Sequence, residues 1–268
     1  MRAWRKRLGI GLAIYIFVVI AMALFQERLI FLPTHLDADH EFGFERPFEE
    51  LFIDTQDGAS LNGLYFPVEE AKGLILYYHG NSGDLDRWGG VVEYFAQYGY
   101  DVLVMDYRKY GKSRGVLSEN ALYADALLWY DKALELYPEE QIVLYGRSMG
   151  TTFASYTAAK HRPSQVILEA PFYSLRAVAQ QRYWFLPVKW FLKYYFPSYQ
   201  HLEQVQAPIT IIHGTEDAIV PYSNATRIKE TLPQAQLELV TVSGGSHNDL
   251  IEFDDYHRTI RERLAPNR

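Results

Sequence analysis

Gln141-Ile142-Val143-Leu144-Tyr145-Gly146-Arg147-Ser148-Met149-Gly150 is the stretch on which the fold turns. An apolar run suited to a buried strand enters a Gly-x-Ser-x-Gly corner, and a helix-like pattern follows from Thr151 to His161. A serine at so sharp a strand-to-helix corner has its hydroxyl pushed out of the fold. The flanking glycines are needed because side chains there would collide with the neighbouring strand and helix. The bland alternative is a surface turn, which the strand before the corner and the helix after it disfavour. If Ser148 is a nucleophile, it needs an acid and a histidine, in that order, further along the chain.

Outward from this corner the same pattern recurs. Apolar, β-branched or aromatic runs occupy Gly73-Tyr78, Tyr100-Tyr107, Gln165-Leu168, Pro208-Ile212 and Gln236-Val242, separated by helix-length segments. Continuous apolar runs suit strands buried on both faces of a parallel sheet, and repeated strand-helix units predict a three-layer α/β domain. Val91, Val92, Phe95 and Tyr98 predict one face of a first helix, and Ala121, Ala124, Leu127 and Leu128 mark a second. Ahead of these units, Glu50 to Val68 alternates like a hairpin turning at Asp57-Gly58. No repeat or low-complexity linker divides the rest, so one domain is expected over 31–268.

Between Pro171 and Pro208 the pattern changes to a run dense in aromatics, Tyr183 to Phe196, broken by Pro187 and Pro197. An insertion at about 171–207 would lie over the C-terminal edge of the sheet, where open α/β sheets bind ligands. It is either an ordinary helix packed by its aromatics or a small helical cap forming an apolar acyl pocket, with Tyr183, Trp184 and Trp190 as candidate substrate contacts. The same aromatics, with Lys189 and Lys193, also suit a membrane interface.

The 268 residues carry a net charge of -7 and no cysteine. No basic face dense enough for nucleic acid is visible, and disulfide and thiolate chemistry are excluded. At the N-terminus, Arg2, Arg5, Lys6 and Arg7 precede the uncharged run Leu8 to Phe25. As a helix it would be roughly 27 Å long, close to the hydrocarbon thickness of a bilayer. The basic flank predicts residues 1–30 to be a single-pass anchor with its N-terminus in the cytoplasm and the domain across the membrane, in a periplasm or lumen. Ala21-Met22-Ala23 offers an alternative, a signal-peptidase site that would release the domain. Against it, the apolar run continues through Leu24 and Phe25 with no polar spacer. A buried core helix is the third reading.

Serine is a weak nucleophile at neutral pH and needs a histidine base oriented by a carboxylate. Of eight histidines, His247 is the candidate, in Ser243-Gly244-Gly245-Ser246-His247-Asn248-Asp249 just after the last strand. The carboxylate belongs after the preceding strand, in His213-Gly214-Thr215-Glu216-Asp217. Asp217 suits a tight loop better than Glu216, although either could cap the following helix. Asp249 is a weaker rival. An oxyanion needs two backbone N–H donors. Met149, next to the serine, supplies one, and Asn81 in His79-Gly80-Asn81-Ser82-Gly83-Asp84 is the candidate for the other. A phosphate-binding turn is the alternative for that loop, but the lysine and Ser/Thr pair it requires are missing. His79 reads as a loop-holding residue rather than a base. No histidine pair has metal-ligand spacing, so no metal is expected.

Taken together, His79-Gly80-Asn81-Ser82-Gly83, Asp106-Tyr107-Arg108-Lys109-Tyr110-Gly111-Lys112-Ser113, Gly146-Arg147-Ser148-Met149-Gly150, Glu169-Ala170-Pro171-Phe172, His213-Gly214-Thr215-Glu216-Asp217 and Ser246-His247-Asn248-Asp249 resemble, in order, the motifs of the α/β-hydrolase family. The resemblance runs from about Leu51 to the C-terminus. It is greatest to the membrane-anchored, bud-emergence-type group with a serine-aminopeptidase-like hydrolase domain. That group also carries an N-terminal apolar segment followed by a stretch like Glu27-Arg28-Leu29-Ile30-Phe31-Leu32-Pro33.

The resemblance implies a mostly parallel eight-stranded sheet, Ser148, Asp217 and His247 as catalytic residues, Asn81 and Met149 as oxyanion donors, and no cofactor. One departure is Lys109, where the group usually has glycine. The expected activity is hydrolysis of an acyl ester or lipid, with a thioester also open, through an acyl-enzyme. A peptidase or acyltransferase with the same triad, or a non-catalytic module binding a lipid or a partner, are the alternatives. Oligomeric state is not legible.

Overall fold

The computed structural model describes residues 2–232 and 236–265, so positions 1, 233–235 and 266–268 of the expected spans lie outside the described residues. The chain opens with α1 (Arg2–Ile30) and β1 (Leu32–Pro33), followed by the hairpin β2 (Glu49–Asp54) and β3 (Ser60–Phe66). Next come β4 (Leu74–Tyr78), β5 (Ser82–Gly83), α2 (Leu85–Val92), β6 (Asp101–Met105), α3 (Glu119–Leu136), β7 (Ile142–Arg147), α4 (Gly150–Ala158) and β8 (Gln165–Glu169). Three short helices, α5 (Leu175–Arg182), α6 (Val188–Phe191) and α7 (Ser198–Leu202), fill the insertion. The chain then runs through β9 (Ile209–Gly214), α8 (Ser223–Thr231), β10 (Leu237–Val242) and α9 (Asp254–Arg263).

Eight strands form one sheet in the order β10-β9-β8-β7-β4-β6-β3-β2. Strands β4 and β6 to β10 are mutually parallel, and the β2–β3 hairpin joins antiparallel at one edge. Every residue of β4 and β6 is buried, so both faces need cover, and their side chains split between two cores. Leu74, Leu76 and Tyr78 pack with α3, α4 and α8, whereas Ile75 and Tyr77 pack with α2 and α9. The three-layer architecture agrees with the sequence reading. A two-stranded parallel pairing of β1 with β5 was not anticipated, being too short to leave a pattern.

Two helix readings need correction. The first expected helix is instead α2 followed by a tighter 3₁₀ segment, Glu93–Tyr98, ending at Gly99 with φ 74°. The tighter winding lets Val92 and Phe95, three residues apart, share one buried line. On α3 the buried face is Leu122, Tyr123, Asp125, Ala126, Trp129, Tyr130 and Ala133, and Ala124 is exposed. The reason is polar: buried Arg108 grips Asp125 through Nε at 2.7 Å and Nη2 at 2.8 Å, which turns that side of the helix inward.

The helix α1 is long and apolar enough to cross a membrane, with a mean hydropathy of 2.7 over its most apolar stretch. Its first two-thirds are exposed, but its last turns are tied to the domain. Gln26 is buried; its Nε2 donates to Phe191 O at 3.1 Å and its Oε1 accepts from Lys193 N at 2.7 Å. Tyr194 Oη donates to Glu27 Oε1 at 2.9 Å, and Asn81 Nδ2 donates to Ile30 O at 3.0 Å.

Candidate active site

At the C-terminal edge of the sheet, β7 delivers Ser148 on a corner with φ 52°, a left-handed conformation that L residues avoid unless the surroundings enforce it. A Cβ at Gly150 would lie 1.9 Å from Tyr78 O, and one at Gly146 would lie 2.7 Å from Gly150 O, so neither position admits a side chain. Ser148 N donates to Glu169 O at 2.8 Å, which fixes the corner to β8.

The loops after β9 and β10 bring two partners to this serine. Ser148 Oγ lies 3.0 Å from His247 Nε2, and His247 Nδ1 lies 2.6 Å from Asp217 Oδ2. A carboxylate only accepts, so Nδ1 carries the proton and Nε2 is free to accept from Oγ. The loops carrying Asp217 and His247 touch where a Cβ on Gly214 would meet Gly245 O at 2.1 Å. Of the rival carboxylates, Glu216 is exposed and Asp249 accepts from Ser246 N and Oγ at 2.6 and 2.7 Å. Neither orients the imidazole.

Asp217 accepts four hydrogen bonds. Its Oδ1 takes Ile219 N at 2.9 Å and Val220 N at 2.7 Å; its Oδ2 takes His247 and, at 3.2 Å, a share of the Nε2–H of the fully buried His213, whose shorter bond is to Val220 O at 2.8 Å. Burial alone would raise this carboxyl, but the hydrogen bonds from His213 and His247 outweigh it and hold the group well below the ordinary carboxylate range. His213 was given no role in the sequence reading. The signal was present, since it is the last residue but one of β9, four residues before Asp217.

Two further supports went unread. Arg147 pairs through Nε with buried Glu169 at 3.0 Å and reaches His247 O at 3.4 Å, tying the serine corner to the histidine loop. Tyr145 Oη donates to the other Glu169 oxygen at 2.5 Å. His79 is buried at 3.1 Å from Asp106, in keeping with a loop-holding role. Lys109 has φ 71°, which explains why glycine is the usual residue there, and its Nζ lies 3.6 Å from Glu27 rather than at the cavity.

Ser148, Met149 and Asn81 form the floor of a cavity of about 410 Å³, within the range of small-molecule sites. Phe172 and Val220 continue its wall, and Leu175, Val178, Tyr183, Phe191 and Leu192 close it from the cap. The remaining wall comes from α1, through Met22, Gln26, Leu29 and Ile30. Arg182 is the one charged residue of the lining among the described residues. Of the aromatics expected to contact substrate, Tyr183 lines this cavity. Trp184 and Trp190 do not: they are 81% and 79% exposed on the outer surface of the cap. Their expected role is corrected: Leu175, Val178, Tyr183, Phe191 and Leu192 form the cap's inner face, and the two indoles turn outward.

Comparison with known proteins places this geometry in context. Residues 69–201 match the family model described as serine aminopeptidase, S33. An uncharacterized protein of Mycobacterium tuberculosis is 31% identical over 229 residues, covering 84% of this chain and 81% of the relative. The Xenopus tropicalis alpha/beta hydrolase domain-containing protein 17C is 31% identical, covering 79% of this chain and 68% of the relative. An uncharacterized membrane protein of Saccharomyces cerevisiae is 29% identical, covering 90% and 89%. Among solved structures, an esterase of Pyrococcus furiosus superposes with a TM-score of 0.67 at 20% identity, covering 87% of this chain and 98% of that one. At that identity the likeness speaks for the fold.

Proposed function

This chain belongs to the α/β-hydrolase family and is a hydrolase, and from that premise we propose that it is a membrane-anchored serine hydrolase cleaving a carboxylic ester, or a thioester, through an acyl-enzyme. The observation that carries this reading is the relay Ser148–His247–Asp217 opening onto an apolar cavity. His247 Nε2 takes the Ser148 proton as Oγ attacks the acyl carbon. The amides of Met149 and Asn81 stabilise the oxyanion, and His247 returns the proton to the leaving group. Water then enters by the same route in reverse, and Asp217 holds the imidazole tautomer throughout.

The lining favours an acyl chain over a peptide, since among the described residues it holds no carboxylate to receive an α-ammonium group. Residues 1–30 serve as the anchor and 31–268 as the hydrolase domain. By the charge rule the domain lies on the far side of the membrane from the cytoplasm, and the relative named as a membrane protein supports an anchor. The test is fluorophosphonate labelling together with turnover of p-nitrophenyl esters of graded chain length. Ser148→Ala is expected to lose labelling while staying folded. Labelling that persists in this variant sinks the nucleophile assignment.

A further inference from the structure

The helix α1 does more than tether. Four of its residues, Met22, Gln26, Leu29 and Ile30, wall the cavity that ends at Ser148. The cap is also strapped along the helix at two levels. Gln26 is bound to the main chain of Phe191 and Lys193, and Tyr15 Oη donates to Phe185 O at 3.1 Å. Tyr15 and Gln26 are eleven residues apart, about 16 Å along the helix axis. Phe185 therefore lies beside the middle of the apolar run Leu8 to Phe25, at a depth comparable to one leaflet of hydrocarbon, about 15 Å.

The outer face of the cap between these two levels is built for such a place. Trp184, Phe185 and Trp190 are exposed together, and Lys189 Nζ stands 5.3 Å above the Trp190 ring. Phe185, beside Tyr15, is the deeper apolar contact, whereas the Trp190 indole and Lys189, next to Phe191 at the level of Gln26, suit the boundary between headgroups and acyl chains. Gln26 has donor and acceptor partners inside the protein, so it needs no water at that depth.

We propose that the cap is seated in the leaflet on the domain's side of the membrane, where α1 emerges, and that the Ser148 cavity takes its substrate sideways from that leaflet. The substrate class is then a long-chain acyl ester of a bilayer lipid. Such a chain passes from hydrocarbon to the cavity between α1 and the cap without crossing water. This proposal rests on the reading of Ser148 as the acyl-accepting nucleophile.

The test uses the full chain in phosphatidylcholine vesicles. The chain has five tryptophans, of which Trp88 and Trp129 are buried, so Trp4→Phe leaves the cap indoles as the exposed emitters. Replacing the lipid with mid-chain dibrominated phosphatidylcholine is expected to quench this emission strongly, and Trp184→Tyr/Trp190→Tyr is expected to remove the effect. Equal emission in both vesicles, with quenching by water-soluble acrylamide, overturns the seat.

In parallel, Trp184→Ser/Phe185→Ser/Trp190→Ser is expected to lower turnover of vesicle-borne diacylglycerol about tenfold, while a soluble short-chain p-nitrophenyl ester keeps its rate within about twofold. Equal losses on both substrates, or none, overturn the proposal. Turnover of a bilayer-bound S-acylated peptide without turnover of the lipid overturns the lipid assignment. If the serine reading is at fault instead, wild-type protein hydrolyses neither ester while bromine quenching persists.

Discussion

Replacing Asp217 by asparagine removes one charge and changes almost no volume, and its expected cost follows from the four hydrogen bonds the carboxylate accepts. An amide that turns its oxygen toward the Ile219 and Val220 N–H groups presents its NH₂ to His247 Nδ1 and His213 Nε2. Both imidazole nitrogens are donors in the native arrangement, so donor then faces donor. His247 escapes by moving its proton to Nε2, and in that tautomer it cannot accept from Ser148 Oγ. The expected loss in kcat is about 10⁴, or roughly 5 kcal/mol of transition-state stabilisation. The assay is hydrolysis of a soluble p-nitrophenyl ester at neutral pH, with circular dichroism to show that the fold persists.

Stability supplies a second readout of the same substitution. The native carboxyl of Asp217 lies below the ordinary value of 3.8, so its contribution is complete above that value and is lost as the pH falls through it toward the native one. The gap in unfolding free energy between wild type and Asp217→Asn should therefore narrow as the pH is taken below about 4. A variant retaining activity within tenfold of wild type, or a stability gap that widens in acid, refutes the assignment of Asp217 as the orienting carboxylate.

Three further outcomes are expected. Gly150→Ala places a Cβ 1.9 Å from Tyr78 O and 2.8 Å from His79 O, both backbone atoms that cannot step aside; the corner must shift, with about 3 kcal/mol lost on thermal unfolding and ester turnover reduced with it. Arg108→Ala leaves the fully buried Asp125 carboxylate without its bidentate partner; urea unfolding should show a loss of about 3–5 kcal/mol, and Arg108→Lys should restore little of it because an ammonium cannot bind in two-pronged fashion. Leu29→Trp fills part of the wall that α1 lends to the cavity, and should shift the preferred p-nitrophenyl ester toward shorter chains while leaving fluorophosphonate labelling of Ser148 intact.

The strands were legible because burial on both faces demands unbroken apolar runs, and Leu74–Tyr78 and Asp101–Met105 have no exposed position. The Ser148, Asp217 and His247 positions were legible because each follows a strand, in an order the corner requires. The buried side of α3 was misread because an ion pair, not hydrophobicity, decides it: Asp125 faces inward and Ala124 outward. Trp184 and Trp190 were misread because composition reports that aromatics are present and not which way they point. Nothing in the spacing of Met22, Gln26 and Leu29 distinguishes a cavity wall from any other turn of an apolar helix. That information resides in the cap, more than 150 residues away in sequence.

These failures and successes divide along a physical line. The serine, carboxylate and histidine follow the ends of β7, β9 and β10, where the sheet register, the Gly214–Gly245 contact and the Arg147–Glu169 pair fix their positions. The walls that would meet an acyl chain are borne instead by α1 and by α5 and α6, which lie outside the sheet and meet one another mainly through Gln26, Glu27 and Tyr15. Substitutions at the strand ends should therefore change kcat for every ester alike. Those along the α1–cap seam should change which ester is preferred and spare the shortest, because only a long chain reaches that far from Ser148. Gln26→Leu is the sharpest probe: it keeps the apolar volume but removes the hydrogen bonds to Phe191 and Lys193. It should lower kcat/KM for long-chain esters while leaving the short-chain value in place, and an equal effect on both would show that the seam also holds the serine corner.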